Sequence, residues 1–217
     1  MRPGHPTEVI EVFADIWCPF AHVGLKTVSD RLRIRGRRDV RIWVRAWPLE
    51  WVNGRPMDPM AALQHVRELR EQIAPELFSH FDVSRFPRST LGVLATAAQA
   101  YRLGMEVGER FSFRVRDSLF EHGEDVSDPD VLRRIAHDFG LSEPDPDDYG
   151  TVVADWKAGR DRGVLGSPHF FCGGSSVFCP SLDISRAPTG EGKVIERDVS
   201  RLDDFLRDCL KEGAGST

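Results

Sequence analysis

The feature that most constrains this chain is an apolar, β-branched stretch that runs straight into Cys-Pro. Val9, Ile10, Val12, Phe13 and Ile16 have strand character. The run Asp15-Ile16-Trp17-Cys18-Pro19-Phe20-Ala21 follows, and Val23, Leu25, Val28, Leu32 and Ile34 then recur at helical spacing up to Gly36. Pro19 suits the first helical turn, where its missing N–H would have no partner anyway. The junction therefore sets the sulfur of Cys18 at the mouth of a helix N-terminus. Backbone N–H groups and the helix dipole favour an anion there, which predicts a reachable thiolate with a lowered pKa. Three residues on, where a redox pair would have its second cysteine, stands Ala21.

The order of elements narrows the architecture. Val40 to Trp47 alternates as a second strand, ended by Pro48. Between Trp51 and Arg162 strand signals are few, and five helices are expected: Pro59–Ile73, Ser89–Leu103, Glu106–Glu121, one capped by Ser127-Asp128-Pro129 with Gly140 past its end, and Asp145–Arg162. Strand character returns at His169–Cys172 and Ser176–Cys179, a hairpin joined by a Gly173-Gly174-Ser175-Ser176 turn. A closing helix is expected over Ser200–Lys211 and a disordered tail over Gly213–Thr217. Strand–helix–strand implies a right-handed parallel crossover, to which the hairpin adds antiparallel strands. The expectation is an α/β chain with a mixed sheet. Residues 8–50 and 163–212 form one domain, and 51–162 form an all-helical insertion subdomain.

Composition excludes several classes. With 217 residues, 41% of them hydrophobic, the chain can bury a core without disulfide staples. A net charge of −5 argues against general nucleic-acid affinity. No stretch approaches the ~18 apolar residues of a membrane span. Met1–Thr7 lacks the apolar middle of a secretory signal, so the chain reads as cytoplasmic. Cys18, Cys172, Cys179 and Cys209 show no C-x-x-C spacing, and reduced thiols are the expectation. No ligand spacing supports zinc, and no metal is expected.

A strand feeding Cys-Pro at a helix N-terminus, a helical insertion, and then Gly163-Val164-Leu165-Gly166-Ser167-Pro168-His169-Phe170 resembles the DsbA-like branch of the thioredoxin superfamily. That branch includes disulfide oxidoreductases, kappa-class glutathione transferases and 2-hydroxychromene-2-carboxylate isomerases. The resemblance runs from about Glu8 to Lys211. It implies a thioredoxin-like fold and a cis bond before Pro168, beside the sulfur of Cys18. It also implies that Ser167 offers its backbone to an extended substrate or thiol. The chain departs from the pattern at its motif: it has the oxidoreductase's first residue, Cys18, and the isomerase's small last residue, Ala21.

Cys18 is the expected nucleophile, against the alternative of an inert buried cysteine. A lone thiolate can hold a mixed disulfide but needs a second thiol to resolve it. His22, one helical turn on, and His169, after Pro168, are candidates for catalytic support; a surface histidine and a plain strand residue are the alternatives. Asp15 is a candidate to move a proton near the sulfur, or else a structural carboxylate. Trp17 and Phe20 flank the motif as candidate substrate contacts with Ser167 and Pro168, and core packing is as good a reading of Trp17. Cys172 is expected opposite about Val177, so a bond to Cys179 is disfavoured. Both are read as buried strand residues and Cys209 as structural. The cluster Arg31, Arg33, Arg35, Arg37, Arg38 and Arg41 reads as a solvated face.

Three functions compete. The first is a thiol-dependent oxidoreductase acting through Cys18 alone, with a low-molecular-weight thiol or a protein disulfide as partner and no tightly bound cofactor. The second is a thiol-assisted isomerase or transferase acting on a small electrophilic substrate in a pocket roofed by the helices. The third is a non-catalytic binding module on the same scaffold. A homodimer is left open.

Overall fold

The computed structural model describes residues 8–141, 144–186 and 193–210. The expected tail over Gly213–Thr217 lies outside them. Strand β1 (Val9–Ala14) leads into helix α1 (Pro19–Ile34) and strand β2 (Arg41–Ala46). A helical block follows: α2 (Leu49–Val52), α3 (Pro59–Gln72), α4 (Leu91–Arg102), α5 (Met105–Phe120), α6 (Pro129–Asp138) and α7 (Gly150–Asp161). Then come β3 (His169–Cys172), β4 (Ser175–Phe178), β5 (Leu182–Arg186), β6 (Lys193–Arg197) and α8 (Ser200–Cys209).

The main sheet has the order β2-β1-β3-β4. β1 runs parallel to β2, from Val9 opposite Arg41 to Ala14 opposite Ala46. β3 is antiparallel to both β1 and β4. The fold class is thus the expected mixed-sheet thioredoxin-like one. The hairpin register differs from expectation by two residues: Cys172 lies opposite Ser175, and Phe170 opposite Val177. Gly173 and Gly174 both have positive φ (56° and 94°), so they close a two-residue turn and shorten the loop. β5 and β6 form a second, two-stranded sheet that periodicity did not reveal. Its strands are short and charged, and the side chain of Gln72 on α3 pins one of them by bonding the backbone at Lys193 and Ile195.

Alternation along β1 sorts the two faces of the main sheet. Ile10, Val12 and Ala14 share a core with Leu25 and Val28 of α1, Phe170 of β3, and Leu202, Phe205 and Leu206 of α8. Phe13 turns the other way and packs with Trp47 and Phe171. Gly159 of α7 lies over that second face, where an added Cβ would sit 2.5 Å from the Trp47 ring and 3.0 Å from the Phe13 ring. Gly159→Ala is expected to destabilise the protein by about 1–3 kcal/mol through overpacking, read as a lower urea midpoint at unchanged slope. An unchanged midpoint would show that α7 is not held this close. A third core joins the helical block and takes in Ile16 and Trp17. The β1–α1 junction is therefore wedged between two cores, and that fixes the position of Cys18.

A correction concerns the cysteines. Cys172 and Cys209 form a disulfide that ties the end of β3 to α8 across a sequence separation of 37. The expectation of four reduced thiols fails here. Helix α8 folds back on the sheet face that carries Cys172, and no local spacing announces so distant a pairing. Cys18 and Cys179 are free.

Candidate active site at the β1–α1 junction

Cys18 is the N-cap residue of α1, in extended conformation, with Pro19 in the first turn. Its Sγ donates a hydrogen bond to the carbonyl oxygen of Ser167 at 3.1 Å. The Ser167–Pro168 bond is cis, as the resemblance implied. Ser167 is held in turn, because its Oγ accepts from the backbone N–H of Asp15 at 3.0 Å. Gly24, two turns into α1, lets the helix close on the proline: a Cβ there would lie 3.2 Å from Pro168 Cγ. Helix, cis-proline turn and thiol thus form one packed unit.

The electrostatics overturn part of the expectation. Cys18 is only 3% exposed. Burial pushes its pKa up and outweighs the lowering by Ser167 and by the backbone N–H groups of Ala21 and Phe20, while the charge of Asp15 pushes it further up. The resting thiol is neutral and covered, not an exposed thiolate with a lowered pKa. The helix N-terminus acts in the predicted direction; desolvation is the larger effect.

Asp15 is fully buried. Its Oδ1 accepts from Ile16 N and from Thr90 Oγ1, and its Oδ2 accepts from Leu49 N, each at 2.6 Å. Burial raises its pKa to about 6, against the opposing pull of those donors and of Arg116. Arg116 of α5 was not foreseen. It is 1% exposed, donates from Nη2 to the backbone oxygen of Asp15 at 3.1 Å and from Nη1 to that of Ser112 at 2.8 Å. Burial lowers its pKa to about 10, and the charges of Asp15, Tyr101 and Cys18 oppose that fall. Nothing near Arg116 in sequence marks it, since Asp15 is 101 residues away.

The two histidines each have polar partners of their own. His22 bonds Glu121 at 2.7 Å and packs on the rings of Phe78 and Phe120, so it ties α1 to the helical block. Burial lowers its pKa despite Glu121. Its backbone N–H donates to the carbonyl oxygen of Cys18 at 3.1 Å, one helical turn away, while its ring is taken up by Glu121. His169 lies beside Phe171 and Phe178, and its Nδ1 accepts from Leu165 N at 3.1 Å. Strand alternation sets it on the Phe13 face, away from α1. Trp17 is fully buried and stacked on Phe86, with ring centroids 6.0 Å apart, as a core residue. Phe20 is half-buried in the first turn of α1, with Lys193 Nζ 5.7 Å from its ring centroid and His65 beside it.

A thiol at a helix N-cap facing a cis-proline turn, on a β-α-β unit with a trailing hairpin, defines a thioredoxin-fold protein. Residues 9–186 match the DSBA-like thioredoxin domain, and the chain belongs to that family. No curated protein matches it. Among solved structures it is similar to a probable DsbA oxidoreductase, SCO1869 from Streptomyces coelicolor, at 20% identity and a TM-score of 0.66, over 97% of this chain and 93% of that one. It is also similar to the cytosolic disulfide reductase DsbM from Pseudomonas aeruginosa (12% identity, TM-score 0.59, 94% and 100% coverage). A 2-hydroxychromene-2-carboxylate isomerase matches at 12% identity and a TM-score of 0.56, over 78% and 88%. At these identities the structures show a shared fold. No helix among the described residues is long and apolar enough to cross a membrane.

Proposed function

We propose that the protein is a thiol–disulfide oxidoreductase in which Cys18 attacks a disulfide and holds the mixed disulfide, with a low-molecular-weight thiol or a protein disulfide as its partner. One observation carries the reading: the Cys18 sulfur lies 3.1 Å from the carbonyl of the residue before the cis-proline, at the N-terminus of α1. An incoming sulfur that displaces this hydrogen bond meets the backbone of Ser167 directly. DsbM has been solved with GSH, which supports a small thiol as co-substrate. Cys18 is the nucleophile, Ser167 and Pro168 form the platform, and Phe20 with Lys193 forms the outer lip. Asp15 is the buried carboxylate that takes part in the proton balance.

Because burial raises the Cys18 thiol, its reactivity is expected to climb with pH well beyond neutrality and not to plateau below it. Alkylation rates by mass spectrometry, with Cys179 as internal control, give the profile. Oxidised glutathione is expected to leave one glutathione on Cys18, absent in Cys18→Ser. No adduct on Cys18 at any pH would overturn the proposal. Turnover of small electrophiles retained in Cys18→Ser would favour the isomerase or transferase reading, which Ala21 keeps in view.

A further inference from the structure

A cavity of about 210 Å³ lies among β2, the outer strand of the main sheet, and helices α4, α5 and α7. The sequence makes the space. One face of α4 carries Leu94, Ala97, Ala98 and Tyr101, at the i, i+3, i+4, i+7 spacing of a helical stripe. Two large side chains bracket two methyl groups, so the stripe has a gap at its middle. Ile16 and, from β2, Val44 and Ala46 line the cavity opposite it. Side chains brace the gap. The Tyr101 hydroxyl accepts from Val44 N at 2.8 Å and donates to Ile42 O at 3.0 Å. The Asp155 carboxylate of α7 accepts from Ala46 N at 3.0 Å. Voids are few in a close-packed interior, and a braced, mostly apolar one with a few polar groups has the build of a ligand site. Half-buried Trp43 and Met105 and exposed Arg102 also line it, so it opens to solvent on their side.

The charges around the cavity are already matched. Asp155 pairs with Arg45 at 2.7 Å, and Arg102 with Asp148 at 2.9 Å. An ionic ligand would find no counter-charge left for it, which favours a neutral one. Asp155 Oδ1 takes Nε and Nη2 of Arg45, while Oδ2 takes only Ala46 N. A carboxylate has about four acceptor positions, so Oδ2 keeps one for a further donor. Ser112 Oγ, buried in the same wall, interacts with the Tyr101 hydroxyl but completes no hydrogen bond, since Tyr101 gives its proton to Ile42. We propose that this cavity binds a small neutral aromatic molecule carrying one N–H or O–H donor, of the indole or naphthol class. An apolar cavity of about 150 Å³ takes up benzene, so this one has room for a second ring. Trp43 and Tyr101 offer ring contacts and Met105 a thioether, and Asp155 Oδ2 accepts the ligand's donor. Cys18 is not among the lining residues, so binding here is independent of its chemistry.

The full chain, its Cys172–Cys209 disulfide intact, is titrated with indole by calorimetry, and one-to-one binding is expected. 1-Benzofuran has the same shape but no N–H, and is expected to bind about tenfold more weakly. Ala98→Leu puts bulk into the gap from a half-buried position and is expected to weaken indole by at least about tenfold, with its urea midpoint reporting that it is folded. A second measurement uses the wild type alone. Irradiation with 5-azidoindole is expected to label peptides that carry residues 43–46 or 94–105, and excess indole to remove the label. No saturable indole binding, or a label that falls elsewhere, overturns the proposal. Unchanged affinity in folded Ala98→Leu overturns it as well. Equal binding of indole and 1-benzofuran overturns the role of Asp155 and the donor-bearing ligand class with it.

Discussion

Asp15→Ala is expected to lower unfolding free energy by about 3–5 kcal/mol, the usual cost of breaking a buried ionic arrangement by removing one partner. The carboxylate takes three hydrogen bonds, from Ile16 N, Leu49 N and Thr90 Oγ1. It is also the counter-charge to Arg116, whose guanidinium has almost no access to solvent. Alanine leaves these three donors without their acceptor and removes a charge that favours the Arg116 cation, and urea unfolding at neutral pH measures the loss. The same variant tests the pKa assignment. Asp15 rises from 3.8 to about 6 on folding, so the folded protein holds the proton more tightly than the unfolded chain. Proton binding therefore stabilises the native state fully below the unfolded value, and that contribution is lost as pH rises through about 6. The stability gap between wild type and Asp15→Ala should widen by roughly 2 kcal/mol between about pH 7 and pH 4. A gap that narrows on acidification would mean that the carboxylate is not held against its desolvation cost. The charge of Asp15 also raises Cys18, so the thiol of the variant should ionise at lower pH.

Cys209→Ser is expected to cost about 4 kcal/mol, on the chain-entropy account of a loop this long. The bond joins residues separated by 37 positions, so opening it frees a long loop of the unfolded chain. Both residues are buried, Cys172 at 9% exposure and Cys209 at 4%, so serine adds the burial of a polar hydroxyl to the loss. Thermal unfolding should move down by about 10 °C. Reductant should lower the wild type toward the variant and leave the variant where it is. If wild type with and without reductant unfolds at one temperature, the bond contributes nothing. Because α8 closes the core beneath the hairpin, its loosening should also expose Cys179 before Cys18, which alkylation order can read.

Much of the fold can be read along the chain because local rules and tertiary context agree there. Pro59 and Pro129 open helices after Asp58 and Asp128, whose side chains cap the first turn through Met60 N and through Asp130 N and Val131 N. The Asp145–Arg162 expectation begins too early. The carboxylates of Asp145 and Asp148 accept from the backbone N–H groups of Asp147 and Gly150 in a turn instead, and the helix starts at Gly150. The small sheet of β5 and β6 leaves no clear pattern along the chain, because its short strands pair with each other and are pinned from outside by Gln72 of α3.

What the residues alone determined is the placement of one sulfur: an apolar strand, a cysteine and a helix-opening proline put it at a helix mouth whatever surrounds it, since those preferences are local. What only the tertiary structure decided is that sulfur's charge state and company. Two cores close over Cys18, and desolvation then outweighs the helix dipole. Arg116 and Thr90 reach Asp15 from helices far along the chain, and Cys172 finds Cys209 across a fold-back. Burial and long-range pairing depend on which surfaces meet, and that is a property of the packed chain as a whole.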